Sequence, residues 1–340
     1  MQSADRVTVV GAGAFGTTLA AVASANGPVT LWALEPVVAE CIRTTRENAV
    51  YLPGFALPEA LDATSDLDAA LAGADIVVLA VPARHMSSVV TSGAGAVSVG
   101  ALIVSATKGI EAHSGRRMSE LISVLLPDHP AERIGVLAGP NLAHEVMAGH
   151  PSATCVAFVE PEHADRVQRR LQSDRFRIDV TTDVTGCEVG GAVKNVVAIA
   201  AGLVDGLQYG MNTKAVVLSR GLAELTRLGT AMGGEASTFL GLAGAGDVLA
   251  TCVSRHSRNR TLGEGLARGW TLAELQASTP GHAEGVDAVE PLLRLGASVG
   301  VELPVCATVG DVLAGAITPR EGVVRLVGVQ GVSASSSSWS

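Results

Sequence analysis

Aromatic side chains are scarce: Phe, Trp and Tyr together make up 3% of the 340 residues. Any core must then be built from Ala, Val and Leu around 39 glycines, so tight turns and close backbone approaches are expected. Charge is sparse as well. Charged residues are 17% of the chain, and 33 acids against 24 bases give a formal net charge of −9. An acidic chain with scattered bases argues against nucleic acid or an anionic membrane as the main partner. A small anion stays open if a few Lys and Arg converge. The cysteines (Cys41, Cys155, Cys187, Cys252 and Cys306) are far apart, with no Cys-x-x-Cys pair and no His/Cys cluster, so neither a disulfide framework nor a metal site is expected. Long apolar runs are missing too. Lys194, Asn195 and Asp205 interrupt one candidate, Asp75 and Pro82 another, and no span reaches the ~20 residues of a transmembrane helix. The first residues lack a basic segment followed by an apolar one. Together these absences predict a cytoplasmic protein with no integral membrane segment.

What is present is a globular composition, 48% apolar, at a length that predicts two domains at roughly 150 residues each. Short β-branched runs alternate with helical patterns through the first half: Val7–Val10, Val29–Ala33, Asp75–Val81, Ala101–Ala106, Ile134–Ala138, Ala153–Val159 and Phe176–Val180. Strands spaced by helices predict βαβ units and a mostly parallel, doubly wound sheet buried on both faces. From Glu188 onward only helical stretches appear. The expected organisation is a dinucleotide-binding domain over 1–187, an all-helical domain over 188–330 and a Ser-rich tail over 331–340.

Gly11-Ala-Gly13-Ala-Phe15-Gly16 follows the first strand and opens a helix. In that setting Gly11 permits the turn, Gly13 lets backbone approach a pyrophosphate, and Gly16 allows close helix–strand packing. The helix amides and dipole favour the anion. Glu35 falls 19 residues after Gly16, just past the second strand. It is either an acceptor for a ribose diol, which favours NAD over NADP, or a solvated loop charge. Ala80-Val-Pro82, Thr107-Lys108-Gly109 and Gly139-Pro140-Asn141 all follow predicted parallel strands, at the edge where such sheets bind ligands. Lys108 there faces either a ligand or solvent.

Lys194 interrupts an apolar, small-residue run, so it is paired, near a ligand, or snorkels along a surface. Gly191 lies one turn earlier, leaving room for a ligand beside Asn195. Leu242-Ala-Gly244-Ala-Gly246-Asp247 reads as a second glycine-rich loop. Ser257-Arg258-Asn259 offers guanidinium, hydroxyl and amide donors suited to phosphate. The plainer reading of both is a loop and a helix cap.

Taken together, these stretches resemble the bacterial NAD(P)-dependent glycerol-3-phosphate dehydrogenase family. The matching segments include Gly11–Ala20, Ser105–Glu111, Ala138–Val146, Gly190–Gly202, Arg220–Glu224, Leu242–Cys252 and Ser257–Asn259, in order across about residues 5 to 325. The resemblance implies a Rossmann domain followed by an all-α domain of the 6-phosphogluconate dehydrogenase C-terminal type. It also implies reduction of dihydroxyacetone phosphate to sn-glycerol 3-phosphate with NAD or NADP, in service of glycerophospholipid synthesis. Lys194 matches the family's acid/base, with Asp247 beside it. Lys108, Gly139, Asn141, Asn195, Asp247, Ser257, Arg258 and Asn259 match positions around substrate. Gly11, Gly13, Ala14, Phe15, Gly16, Glu35, Lys108, Ala143, Arg258, His282 and Glu284 match the cofactor side. A homodimer is expected from the apolar richness of the helical half.

Some positions depart from the family's pattern. Ala14 stands where Ser is common, Phe15 for Trp or Tyr, Leu34 for Arg or His, and His282 for a small aliphatic residue. Loss of the cation at 34 weighs against NADP. Two other readings remain: a related dehydrogenase of an unphosphorylated hydroxy acid, and a catalytically silent dinucleotide sensor. Ser257-Arg258-Asn259 and Lys108 speak against the first, and retention of Lys194 and Asp247 against the second.

Overall fold

A computed structural model of the chain describes residues 5–278 and 283–328; His282 and the Ser-rich tail lie outside the described residues. Eight strands form one sheet: β1 (Val7–Val10), β2 (Val29–Trp32), β3 (Leu61–Thr64), β4 (Ile76–Leu79), β5 (Leu102–Ser105), β6 (Ile134–Ala138), β7 (Ser152–Ala157) and β8 (Phe176–Thr181). Their order is β3-β2-β1-β4-β5-β6-β7-β8. The first six in sequence are parallel to their neighbours, β7 turns antiparallel to β6, and β8 runs parallel to β7.

The strands are apolar throughout because each feeds two cores. Val9, Ile76 and Val78 point into one, while Val10, Val77 and Leu79 point into the other. The edge strands β3 and β8 are the exceptions, with polar side chains turned outward, and β3 is absent from the sequence-based expectation. In Leu61-Asp-Ala-Thr only Leu61 and Ala63 are buried, so it carries too little apolar signal for a run and too short an alternation to stand out.

From Val184 the chain is helical. The Val184–Gly206 helix begins four residues before the expected domain start at Glu188, because Asp183 caps it by accepting from the Gly186 amide at 2.7 Å. Every residue from 186 to 204 is buried, so this helix is the core of the second half and is apolar apart from Glu188, Lys194 and Asn195. It is long and apolar enough to cross a membrane, yet it is wholly enclosed by other helices. Around it pack Met211–Ala231, Asp247–Val253, Arg258–Ala267, Glu284–Ser298, Pro304–Leu313 and Pro319–Val327. The last was not expected, although Thr318 and Glu321 form a capping box at its start.

Glycines set the closest crossing. A Cβ on Gly202 would sit 2.0 Å from the Arg260 carbonyl oxygen, and one on Gly263 would sit 2.1 Å from that of Ile199. The Arg258–Ala267 helix therefore lies backbone-to-backbone on the core helix, which brings residues 257–259 alongside Asn195. The two halves are also joined by charge. Glu188 of the core helix accepts from Arg117 Nη1 at 2.6 Å and from the Ser119 amide and hydroxyl, both at 2.7 Å. Burial pushes the Glu188 carboxyl up, and these donors offset part of that rise.

Gly263→Ala should lower the urea unfolding free energy by about 1–3 kcal/mol, the usual cost of overpacking. An unchanged midpoint would show that the two helices part without loss.

Candidate active site

The glycine turn after β1 has the geometry its sequence requires. Gly11 holds φ at +113°, and a Cβ there would meet the Ala80 carbonyl oxygen at 2.6 Å. A Cβ on Gly16 would lie 1.9 Å from the Gly11 carbonyl oxygen, so the Ala14–Ala23 helix sits hard against the strand end. Gly13 is different: nothing lies within 4 Å of its absent Cβ. It caps a helix whose first turn carries no acid, which leaves an open, electropositive approach for an anion. Ala14 and Phe15, half-buried, begin that helix.

Lys108, Gly139 and Asn141 follow β5 and β6 at the same edge. Lys108 Nζ donates to the Gly139 carbonyl at 2.9 Å and to Asp247 Oδ2 at 2.7 Å, and stands 5.9 Å from the Phe15 ring centroid. Asp247 comes from the helical half. Its other oxygen, Oδ1, accepts from Lys194 Nζ at 2.8 Å, and the same ammonium donates to Thr251 Oγ1 at 2.9 Å. One buried carboxylate thus joins two lysines from opposite halves of the chain. Burial lowers Lys108 to about 8, with Asp247 opposing the fall and Lys194 adding to it. Burial alone would raise the Asp247 carboxyl, but the two ammonium groups outweigh it and hold it below the ordinary range.

Two expectations need correction here. Residues 242–247 are not a loop: Leu242–Gly246 is a π-helical turn running directly into the Asp247–Val253 helix. Its glycines seat it, because a Cβ on Gly244 would strike the Phe239 carbonyl and one on Gly190 the Ala243 carbonyl, at 2.1 and 2.3 Å. That seating brings Asp247 to Lys194. The space over Gly191 is not left for a ligand either. It is filled by the stem of Lys108, whose Cγ lies 3.5 Å from where a Cβ would stand.

Asn195 and Asn259 are bonded to each other, Nδ2 of Asn259 donating to Oδ1 of Asn195 at 2.9 Å. Asn259 Oδ1 accepts from the Gly285 amide at 2.9 Å, which ties Glu284 and its helix start to the same network. Ser257 caps the Arg258–Ala267 helix, accepting from the Arg260 amide. Arg258 is exposed and makes no ion pair among the described residues. Asn141 donates to Thr154 Oγ1 at 3.1 Å, while its Oδ1 is buried with no partner among the described residues. Ala143 begins the short helix that follows. Glu35 stands apart from this cluster, accepting from the Tyr51 hydroxyl at 2.8 Å, next to a Leu34 that is 69% exposed.

Sequence reasoning missed Thr251. Its signal was the four-residue spacing from Asp247, which has meaning only on a helix. Asn48 was missed as well. It donates to the Ala12 carbonyl and to Thr17 Oγ1, both at 2.8 Å, bracing the glycine turn, and no local pattern marks it.

Two family models divide the chain between them: NAD-dependent glycerol-3-phosphate dehydrogenase N-terminus over residues 6–164 and its C-terminus over 183–324. The chain is 44% identical to glycerol-3-phosphate dehydrogenase [NAD(P)+] 2 of Sphingopyxis alaskensis, over 93% of this chain and 94% of that one. It is 46% identical to glycerol-3-phosphate dehydrogenase [NAD(P)+] of Corynebacterium kroppenstedtii, over 94% and 97%. The chain belongs to the NAD-dependent glycerol-3-phosphate dehydrogenase family. Among solved structures, the Coxiella burnetii glycerol-3-phosphate dehydrogenase superposes with a TM-score of 0.90 at 33% identity, covering 95% of this chain and 98% of that one. This member of the family therefore carries its Lys108–Asp247–Lys194 cluster in a fold shared along nearly its whole length.

Asp247→Asn would leave two buried ammonium groups on a neutral partner. It should cost about 3–5 kcal/mol of stability, as breaking a buried ion pair does. Because the Asp247 carboxyl is depressed, its contribution is present above the ordinary carboxylate range and is lost as pH falls through the lower folded value. The Asn variant should lack that acid limb in a pH series of urea melts. An identical acid limb in both proteins would contradict the placement of Asp247 between two charges.

Proposed function

We propose that the chain is an NAD(P)-dependent sn-glycerol-3-phosphate dehydrogenase that interconverts dihydroxyacetone phosphate and sn-glycerol 3-phosphate and so supplies glycerophospholipid synthesis. One observation carries this reading: Lys194 and Lys108, from different halves, meet on a single buried Asp247 at the carboxyl edge of the sheet. Two ammonium groups and one carboxylate leave one positive charge in the cluster, and the buried Asn141 Oδ1 has no partner among the described residues. The polypeptide fits a dinucleotide. The surface over Gly13 is open, the Ala14–Ala23 helix presents its amino end, and Phe15 offers an aromatic face. When bound, the nicotinamide gives or takes the hydride at C2 of the substrate.

The side chains do the rest. Lys194 donates a proton to the C2 oxygen in reduction and takes it back in oxidation, its ammonium stabilising the oxyanion meanwhile. Asp247 holds Lys194 and Lys108 in place. Lys108, Gly139 and Asn141 line the substrate from the sheet side, and Asn195, Ser257, Arg258 and Asn259 from the helical side. The Ser257 hydroxyl and the Asn259 side-chain amide are engaged within the protein. The phosphate is therefore met by the exposed Arg258 guanidinium and the backbone amides at that helix start. Gly11, Gly13, Ala14, Phe15, Gly16, Ala143, Arg258 and Glu284 form the cofactor's side of the cleft. Glu35 accepts from the adenosine ribose, and with Leu34 supplying no cation NADH is preferred over NADPH. The helical half is of the 6-phosphogluconate dehydrogenase C-terminal type, on the strength of its long enclosed central helix.

Dihydroxyacetone phosphate should drive NADH oxidation, followed by absorbance at the nicotinamide band. Lys194→Ala should lower kcat on the order of a thousandfold while NADH still quenches protein fluorescence. No oxidation by the wild type with this ketone, or an undiminished kcat in the variant, would overturn the reading. A pH effect also follows from Lys108. Its charge is present below about 8 and is lost above it. Hence kcat/KM for the ketone phosphate should fall on the alkaline side of that value, and Lys108→Met should remove this inflection. A profile unchanged by the substitution would clear Lys108 of the role.

A further inference from the structure

Tyr51 was not part of any motif, yet it is wired both to the glycine turn, through Asn48, and to Glu35. Asn48, 1% exposed, donates to the Ala12 carbonyl and to Thr17 Oγ1 within the glycine turn. Its own Oδ1 accepts from the Tyr51 amide at 3.1 Å, and its carbonyl accepts from the Leu52 amide at 2.9 Å. The turn is thus pinned beneath the pyrophosphate loop, with Leu52 fully buried. From that anchor Tyr51 extends to Glu35, where its hydroxyl donates to Oε1 at 2.8 Å. No ion pair engages Glu35 among the described residues, so this is the contact that fixes its rotamer.

The bond lies at the surface: Tyr51 is 40% exposed. At the surface water competes for both partners and screens the charge, so the bond adds little to folding and stability alone is a poor reason for it. Its geometric effect is larger. A carboxylate accepts at about four lone-pair sites; the tyrosine uses one on Oε1 and leaves Oε2 open in a set orientation. An acceptor whose rotamer is already fixed loses less freedom when a ligand arrives. The raised Tyr51 hydroxyl, held protonated by the neighbouring Glu35 through their hydrogen bond, keeps the phenol as donor and the carboxylate as acceptor.

We propose that Tyr51 is a specificity-determining positioning residue, which fixes Glu35 as the acceptor for the ribose diol of NADH and thereby sets the preference over NADPH. The proposal rests on the reading that Glu35 meets that ribose. It assigns discrimination to the Asn48–Tyr51–Glu35 chain rather than to Glu35 alone.

The test compares Tyr51→Phe and Glu35→Gln with the wild type in fluorescence titrations of NADH and NADPH, alongside steady-state kinetics and melting temperature. Tyr51→Phe should weaken NADH about three- to tenfold, the worth of one hydrogen bond, and NADPH less than about twofold. The loss should fall on KM for NADH rather than on kcat, and the melting temperature should hold. Narrowed discrimination in Glu35→Gln but not in Tyr51→Phe would overturn the proposal and leave the ribose reading standing. Equal weakening of both cofactors in Tyr51→Phe would reduce the residue to a structural role. Discrimination unchanged in both variants would bring down the ribose reading and the proposal with it.

Discussion

A single carboxylate holding two ammonium groups out of water is the constraint on which the rest of this molecule turns. Burying an ion is costly unless it is paired, and Asp247 is almost wholly enclosed, with a side-chain exposure of 2%. The carboxylate cannot neutralise both lysines. One unit of positive charge is left in a dry place, partly relieved by the carbonyl of Gly139 and the hydroxyl of Thr251. Such a cluster is incomplete by itself. On the proposed reading, an oxyanion or phosphate entering the cleft would supply the missing negative charge.

The fold is shaped to make that meeting possible. Lys108 is delivered by the carboxyl end of β5, and its stem lies along the core helix over Gly191. Asp247 is delivered by a π-helical turn that can approach the core helix only because residues 190 and 244 lack side chains. The Arg258–Ala267 helix is brought in through the glycines at 202 and 263. In a chain poor in aromatics, glycine does by close contact what large side chains do elsewhere by filling volume. The close backbone packing that the glycine content led one to expect is therefore what brings the cluster together.

This also explains which features were legible in the sequence. The Gly11, Gly13 and Gly16 turn is a local device, and the turn at Gly11 and the close packing at Gly16 could be read from their spacing. Lys194 was legible as an anomaly, a charge inside an apolar helix. Its partner lies 53 residues away, and no spacing rule reaches so far. Thr251 disappeared when 242–247 was taken for a loop, since glycines signal turns more often than a distorted helix. Gly191 was misread because the residue filling its space comes from the other half. β3 hid at the sheet edge, where half its side chains face water. Tyr51 and Asn48 belong to a tertiary wiring whose members are individually ordinary.

The acidity of the chain as a whole runs against an anionic substrate and cofactor, and distance resolves the conflict. Charges on the surface act through water and salt, and beyond about 8 Å at physiological ionic strength they are largely screened. The −9 of the whole chain is therefore felt weakly inside the cleft. Lys108 and Lys194 act at hydrogen-bond range in surroundings of low polarisability, where each interaction is stronger than at the surface. A chain can be acidic everywhere and still hold anions, provided its few cations are gathered where water is excluded. The Lys108–Asp247–Lys194 cluster is where this chain has gathered them.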